Sequence, residues 1–278
     1  REYPLKVSGE VELRVRHNCD EAARQYFRKP GTSFIACPDI PEIFREVERG
    51  EADQGVVPIE NSTEGSVNLT LDLLREYPLK VSGEVELRVR HNLIVRQGMK
   101  MSDVKDVLSH PQALAQCRRF ISENLPSARK VEVASTARAV EMLKETKGVA
   151  AIVTELAAEV NEMEILVKGI EDNPNNFTRF FVIGRSAAQP SGEDKTSIVF
   201  TVPNVPGSLH QALGEFAVRN INLTKIESRP TKQRPWEYIF YVDFEGHAGE
   251  PRCLEALEGL RKKAAFLEVL GSYPKARS

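Results

Sequence analysis

The chain has 278 residues, 41% hydrophobic and 28% charged, an ordinary globular balance that excludes disordered, collagen-like and fibrous classes. Its 38 basic and 40 acidic residues give a formal net charge of −2, so it lacks the electrostatic footprint of a nucleic-acid or anionic-membrane binder. At roughly 150 residues per domain the length fits two domains.

No run approaches ~18 apolar residues, so no transmembrane helix is expected. The N-terminal residues lack the apolar stretch of a signal peptide. Cys19, Cys37, Cys117 and Cys253 form no C-x-x-C pair. They read as free thiols in a reducing compartment, which predicts a cytoplasmic protein without a disulfide frame or zinc site. The histidines show no ligand spacing, so no metal is expected.

Residues 1–18 repeat residues 75–92 at every position. Ancient repeats diverge, and solenoid repeats recur over several units. The identity therefore reads as a recent duplication or a misjoined sequence. The copy at 75–92 runs on in continuous context and reads as the native one. Residues 1–18 are not expected to reproduce the structure of 75–92.

Residues 20–28 read as a short helix. Residues 39–49 place Ile40, Ile43, Phe44 and Val47 on one face, an amphipathic helix closed by Gly50. Residues 55–60 form an apolar strand that ends in the polar turn Asn61–Ser66. Val85, Leu87 and Val89 alternate as in a strand, and 106–108 form another, ending in Ser109-His110-Pro111. Pro111 suits the first position of a helix running to about Asn124. Strands at 130–134, 148–153 and 180–184 alternate with helices at 136–145 and 154–160. This pattern predicts an α/β sandwich with largely parallel sheets.

Residues 185–195, RSAAQPSGEDK, are small and polar and read as a linker. Beyond them, strand, helix, two strands, helix and strand follow within about 80 residues, the βαββαβ order of a ferredoxin-like module.

Four segments concentrate residues able to do chemistry. Pro58–Ser66 runs from a strand end towards a helix start, where ligand sites of open α/β sheets lie. Ser109-His110-Pro111-Gln112 repeats that geometry. Asn175–Phe181 carries a Thr178-Arg179 pair before a buried strand, either an anion clamp or an arginine facing solvent. In the small module, Asn204–Leu209 and Glu227–Pro230 flank a helix start and a strand end, and Gly207 permits close approach to the backbone. Taken singly, each reads first as cap or turn chemistry.

Together, PIENS, SHPQALAQC, NFTRF and the PGSL/ESRP pair resemble the prephenate dehydratase family with its C-terminal ACT domain. The resemblance extends over about 20–278. It implies a catalytic domain over 1–185, built of two α/β lobes like a periplasmic binding protein. One lobe would comprise about 1–74 and 168–185, the other about 75–167. An ACT regulatory domain would cover 195–278.

The implied reaction removes water and carbon dioxide from prephenate to give phenylpyruvate, without cofactor or metal. Thr178 would be the key catalytic residue, with Arg179 and Phe180 beside it. Glu60, Asn61, Ser62, Ser109, His110 and Gln112 would bind substrate, with Arg179 available to hold a carboxylate. Phenylalanine would bind as feedback inhibitor at Asn204, Gly207, Ser208, Leu209, Glu227, Ser228, Arg229 and Pro230. Side-by-side ACT modules would give a homodimer or a dimer of dimers. An arogenate dehydratase and a non-catalytic amino-acid-sensing protein are the alternatives. The family's first-strand G-P-x-G-T-F-S loop is not found, and residues 1–18 stand in its place. A helical chorismate mutase domain ahead of the dehydratase motifs, and with it the bifunctional form, is not expected.

Overall fold

The computed structural model of the protein describes residues 6–8, 15–28, 32–35, 37–231 and 236–276. The chain opens with β1 (Lys6–Ser8), α1 (Val15–Tyr26), β2 (Ser33–Ile35), α2 (Ile40–Arg49) and β3 (Gln54–Asn61). β4 (Gly65–Ser66), α3 (Asn68–Glu76) and β5 (Lys80–Arg88) complete this run. The second lobe holds β6 (Asn92–Val95), β7 (Asp106–Ser109), α4 (Pro111–Gln116), α5 (Arg118–Asn124) and β8 (Arg129–Glu132). It continues through α6 (Thr136–Glu145), β9 (Val149–Val153), α7 (Glu155–Val160) and β10 (Glu164–Val167). The chain then crosses back as β11 (Phe177–Gly184).

Local signals place several of these elements. Asp39 caps α2 by accepting from the Glu42 amide at 2.8 Å, Pro41 stands in the first turn, and Ile40, Ile43, Phe44 and Val47 are buried. Gly50 closes the helix at φ 78°, a left-handed conformation that glycine adopts without strain.

The first sheet runs β2-β1-β3-β11-β5, with β4 paired to β3. The second runs β10-β6-β9-β7-β8. Neither is largely parallel. β11 returns from the second lobe and lies antiparallel to both β3 and β5, and β6 is antiparallel to β9 and β10. The lobe boundary also differs from the expected one near residue 75. β5 is a full strand of the first sheet, so the outward crossing falls at residues 89–91 and the return at 168–176.

The helix expected over 111–124 is two helices. At Cys117 the backbone turns to φ −116°, ψ 20°. The returning chain causes the break. The Asp172 amide takes the Gln116 carbonyl at 2.7 Å, and the Asp172 carboxylate accepts from the Arg119 amide at 3.1 Å. One residue thus ends α4 and caps α5.

The repeated sequence takes two structures. Lys6–Ser8 and Lys80–Ser82 are both strand residues of the first sheet, in different positions. Residues 15–18 begin α1, whereas the identical residues 89–92 form the crossing and the start of β6. Tertiary surroundings override local propensity here. How the side chains of residues 1–18 pack lies outside the described residues.

The C-terminal module is the expected βαββαβ: β12 (Asp194–Thr201), α8 (Ser208–Ala217), β13 (Leu223–Pro230), β14 (Tyr238–Glu245), α9 (Pro251–Arg261) and β15 (Phe266–Pro274). Its sheet order is β13-β14-β12-β15. Period-two alternation gives that sheet two buried faces. Ile198, Phe200, Val242 and Phe244 pack under α8 and α9. Val199, Tyr241, Leu270 and Tyr273 pack against the first lobe, in one core with Phe44, Ile59, Leu74 and Phe181. Residues 185–193 therefore connect two sheets that form a continuous sandwich. No helix among the described residues is long and apolar enough to cross a membrane.

The seam between these sheets is tightest where β15 passes over β5. A Cβ added at Gly271 would stand 2.0 Å from the Val81 carbonyl oxygen. Gly271→Ala is accordingly expected to force the sheets apart, at a cost of about 1–3 kcal/mol. Thermal unfolding should show a midpoint lower by several degrees, and an unchanged midpoint would contradict the seam.

Candidate active site

β3 and β11 are adjacent antiparallel strands, with Thr178 opposite Asn61 and Arg179 opposite Glu60. Residues opposite one another share a face, and the next pair takes the other. Thr178 and Asn61 thus look one way, while Arg179 and Glu60 look towards the ACT sheet. Beyond these pairs Phe180 lies opposite Pro58, so Ile59 is an extra residue on β3. A bulge suits Pro58, which has no N–H for the ladder.

Asn61 is fixed at both ends of its amide. Its Oδ1 accepts from the Thr63 and Glu64 amides at 2.9 and 3.1 Å. Its Nδ2 therefore points inward, donating to Asn176 Oδ1 at 2.8 Å and Thr178 Oγ1 at 3.0 Å. Because the Thr178 oxygen accepts from Asn61, its own O–H proton is directed elsewhere. Ser62 is a clamp: its hydroxyl donates to the Asn175 carbonyl at 3.0 Å and accepts from the Phe177 amide at 2.9 Å.

The network crosses to the second lobe. Asn176 Nδ2 donates to Gln116 Oε1 at 3.1 Å, and His91 Nε2 lies 2.7 Å from the same oxygen. An amide oxygen only accepts, so Nε2 carries the proton. The His91 amide donates to Glu171 at 3.0 Å, joining the two crossing segments. Burial lowers the His91 pKa, outweighing the Gln116 hydrogen bond and the Glu171 charge, and keeps the ring neutral.

The remaining expected substrate residues lie at the start of α4. Ser109 is fully buried and donates to the Ile152 carbonyl at 2.8 Å. His110 caps α4, its Nδ1 accepting from the Gln112 amide at 3.2 Å. Gln112 is half-buried one turn before Gln116. Phe180 is wholly buried beneath α1 with Cys19, Ala22 and Val85.

Arg179 is neither a clamp in the cleft nor an arginine facing solvent. It is buried between the two sheets, where its Nε donates to Glu60 at 2.6 Å, Nη1 to Glu84 at 3.2 Å and Nη2 to Asp243 at 2.6 Å. Glu60 also pairs with Lys225, Glu84 pairs with Lys195 at 2.8 Å, and Asp243 accepts from Ser197 at 2.6 Å. Burial opposes the Arg179 charge, but Asp243 and its neighbours more than offset it and raise the pKa. Burial pushes the Glu60 carboxyl up, and Arg179 with Lys225 outweighs this, leaving it below its usual value. Glu60 thus faces the seam with Arg179.

The expected regulatory residues also divide. Gly207 caps α8 at φ 81°, beside a cavity of about 720 Å³ lined by Asn204, Ser208, Leu209, Tyr238 and Phe266, with Arg75 of α3 at its edge. Glu227 instead accepts from Ser66 at 2.9 Å, and Arg229 donates to Asp72 at 3.1 Å. Both reach towards their own first lobe, while Ser228 and Pro230 are exposed.

Sequence reading assigned no role to Asn176, Gln116 and His91, although the first two lie inside the quoted motifs. It also missed Glu84, Lys225 and Asp243, which only the sheet-on-sheet packing brings to Arg179. All four cysteines are buried and none forms a disulfide among the described residues.

A family model described as prephenate dehydratase matches residues 17–188, and one described as ACT domain matches residues 196–262. The chain is 45% identical over 256 residues to a bifunctional chorismate mutase/prephenate dehydratase of Aquifex aeolicus, covering 92% of this chain and 70% of that one. It is 44% identical over 245 residues to the prephenate dehydratase of Methanocaldococcus jannaschii, covering 86% of each. The structure of an Arthrobacter aurescens prephenate dehydratase in complex with L-Phe superposes with a TM-score of 0.86 at 34% identity, covering 99% of this chain and 90% of that one. The chain is thus a two-lobed α/β protein carrying an ACT domain. It belongs to the prephenate dehydratase family.

The buried neutral His91 sets a pH dependence. With its folded pKa below the ordinary imidazole value, the unfolded chain binds the extra proton first as pH falls. Its contribution is intact above the unfolded pKa and is lost as pH drops towards the folded one. The melting midpoint should fall between pH about 7.5 and 5.5, and His91→Gln should flatten part of that slope. Superimposable pH profiles for the two proteins would rule out a buried neutral His91.

Proposed function

We propose that the protein converts prephenate to phenylpyruvate and that phenylalanine, bound to the ACT domain, inhibits it. The observation carrying this reading is the Asn61–Thr178 pair, placed by the two strands that meet the lobe crossing, in a chain of this family.

Prephenate carries two carboxylates and a hydroxyl on a cyclohexadiene ring. As the ring carboxylate leaves as carbon dioxide, the electrons of its C–C bond enter the ring and the C–O bond breaks. The ring becomes aromatic, so the driving force lies in the substrate. Hydroxide leaves and is protonated to water, one proton being consumed overall. Negative charge develops on the departing oxygen, and a hydrogen-bond donor aimed there stabilises the transition state. Thr178 suits this role because Asn61 occupies its acceptor side and leaves its proton free. Arg179 is committed to three carboxylates, so holding the substrate carboxylates falls to other groups.

The cavity beside Gly207 suits a free amino acid. The helix start offers N–H groups to a carboxylate, and Tyr238 and Phe266 offer an apolar wall to a ring. β13 is an edge strand of its sheet, and Ile226 on it is 49% exposed. An uncovered edge invites pairing, so we assign a homodimer or a dimer of dimers formed through the ACT modules. Cysteines that form no disulfide suit the cytoplasm.

Thr178→Ala should lower turnover of prephenate by about 10²–10³-fold while costing on the order of 1 kcal/mol in stability. Thr178→Ser should keep measurable activity. Retention of more than about a third of wild-type turnover by Thr178→Ala, far above these losses, would remove Thr178 as the donor. Wild-type turnover of arogenate but not prephenate would move the reading to that substrate, and turnover of neither would leave a binding protein.

Phenylalanine should inhibit a protein that sediments as a dimer or larger at micromolar concentration. Gly207→Val, strained at positive φ and narrowing the cavity mouth, should relieve inhibition with basal turnover nearly unchanged. Full inhibition of that variant, or a monomer in sedimentation, would refute this arrangement.

A further inference from the structure

We propose that two ACT-domain side chains, Asp243 and Lys225, are positioning residues for the dehydration step, holding Arg179 and Glu60 and thereby the Asn61–Thr178 pair. The inference deepens the reading of Thr178 given above and rests on it.

The two strand ends that carry Thr178 and Asn61 are held differently. β11 is paired without interruption to β5 from Phe177 to Val182, so Thr178 has a firm ladder on that side. β3 does not offer the same support. The bulge at Ile59 separates Glu60 and Asn61 from the regular ladder, and Pro58 has no N–H to give it. Beyond the bulge this end of β3 pairs with Arg179 and Thr178 on one side and with Ser66 and Gly65 on the other, over two residues each, and what Glu60 binds adds to how it is seated. One Glu60 oxygen accepts from Arg179 Nε and the other from Lys225 Nζ. Lys225 also donates to Ser66 Oγ at 2.8 Å, and Ser66 pairs with Glu60 across β3 and β4. One ACT-domain ammonium thus ties down the whole turn that carries Asn61.

Arg179 is held from the other side. Asp243 accepts from its Nη2 at 2.6 Å, and the second Asp243 oxygen accepts from Ser197 Oγ at 2.6 Å. Charge-assisted bonds in a buried site are short and orienting, so a shift at β14 is passed on to Arg179. Arg179 adjoins Thr178, and Glu60 adjoins Asn61. A displacement of either by a fraction of an ångström changes the 3.0 Å Asn61–Thr178 contact and the direction of the Thr178 O–H. The ACT domain then contributes to turnover without touching substrate.

Asp243→Asn, Lys225→Met and Ser197→Ala test this, with Glu268→Gln as the control. Glu268 meets Lys80 of β5 across the same seam at 3.6 Å. Two readouts are needed: kcat and KM for prephenate well below the melting temperature, and hydrogen exchange of peptides spanning 58–66 and 175–181. Asp243→Asn and Lys225→Met should lower kcat by about 10- to 100-fold while KM moves less than about threefold. Exchange over 58–66 should rise in both. Ser197→Ala should move both readouts the same way by less, and it carries the test with Lys225→Met if Asp243→Asn does not fold. Glu268→Gln should move neither. If the folded variants lose melting temperature but keep kcat and exchange within about twofold of wild type, the network is a structural seam and the proposal falls. If the wild type does not turn over prephenate, the functional reading fails, and the exchange measurement still decides whether the ACT domain holds the strand ends.

Discussion

A single guanidinium, buried between two β-sheets, sets the geometry of this protein. Arg179 meets Glu60 and Glu84 of the first lobe and Asp243 of the ACT sheet. Lys195 and Lys225 bring the cations to three against three carboxylates. Such a cluster is not a cheap source of stability, since desolvating each charge costs several kcal/mol before any attraction is gained. Removing one member is worse, because the rest remain buried and unbalanced, at about 3–5 kcal/mol. What the cluster supplies is registry. Apolar contacts such as Phe181 against Tyr273 tolerate sliding, whereas a five-donor planar fork matched to three carboxylates does not.

Neighbouring residues consequently serve different masters. A β-strand turns successive side chains to opposite faces. In Asn61-preceded-by-Glu60, and again in Thr178-followed-by-Arg179, one residue belongs to the lobe crossing and the other to the ACT seam. A contiguous motif such as T-R-F reads in sequence as one functional unit. In the fold it is three: Thr178 on the Asn61 network, Arg179 between sheets and Phe180 under α1.

This explains what could be read from sequence and what could not. The cap at Asp39, the buried face of α2 and the stop at Gly50 are local, and local chemistry announced them. The βαββαβ order was legible for the same reason. The turn after Asn61 was visible too, whereas Thr178 and Arg179, which read as preceding a strand from 180, lie inside β11. The break at Cys117 was not, because it is imposed by Asp172, far along the chain. The mixed strand order was hidden likewise: β11 fits between β3 and β5 only because the chain has already crossed to the second lobe and back. The identical residues at 15–18 and 89–92 show the limit plainly, being helix in one place and crossing in the other. Arg179 was misread for the simplest reason. An arginine beside a threonine suggests an anion, and nothing local reveals that three carboxylates from distant strands already satisfy it.

The same geometry bears on how a regulatory domain can act at a distance. Communication requires an element with alternative arrangements that both sites bias. A flexible linker would supply none, and residues 185–193 are not what joins these domains mechanically. The joint is the sandwich itself, close enough at Gly271 to exclude a methyl group and charged enough at Arg179 to resist slippage. A ligand beside α8 lies where β12 ends and β14 begins, in the sheet that carries Asp243 and Lys225, and the cavity there is also lined by Arg75 of the first lobe. Occupancy of that cavity need not travel through the second lobe at all. It has only to favour one seating of the ACT sheet on the first, and the strand ends bearing Asn61 and Thr178 move with it, because a packed interface shifts between discrete arrangements rather than deforming continuously.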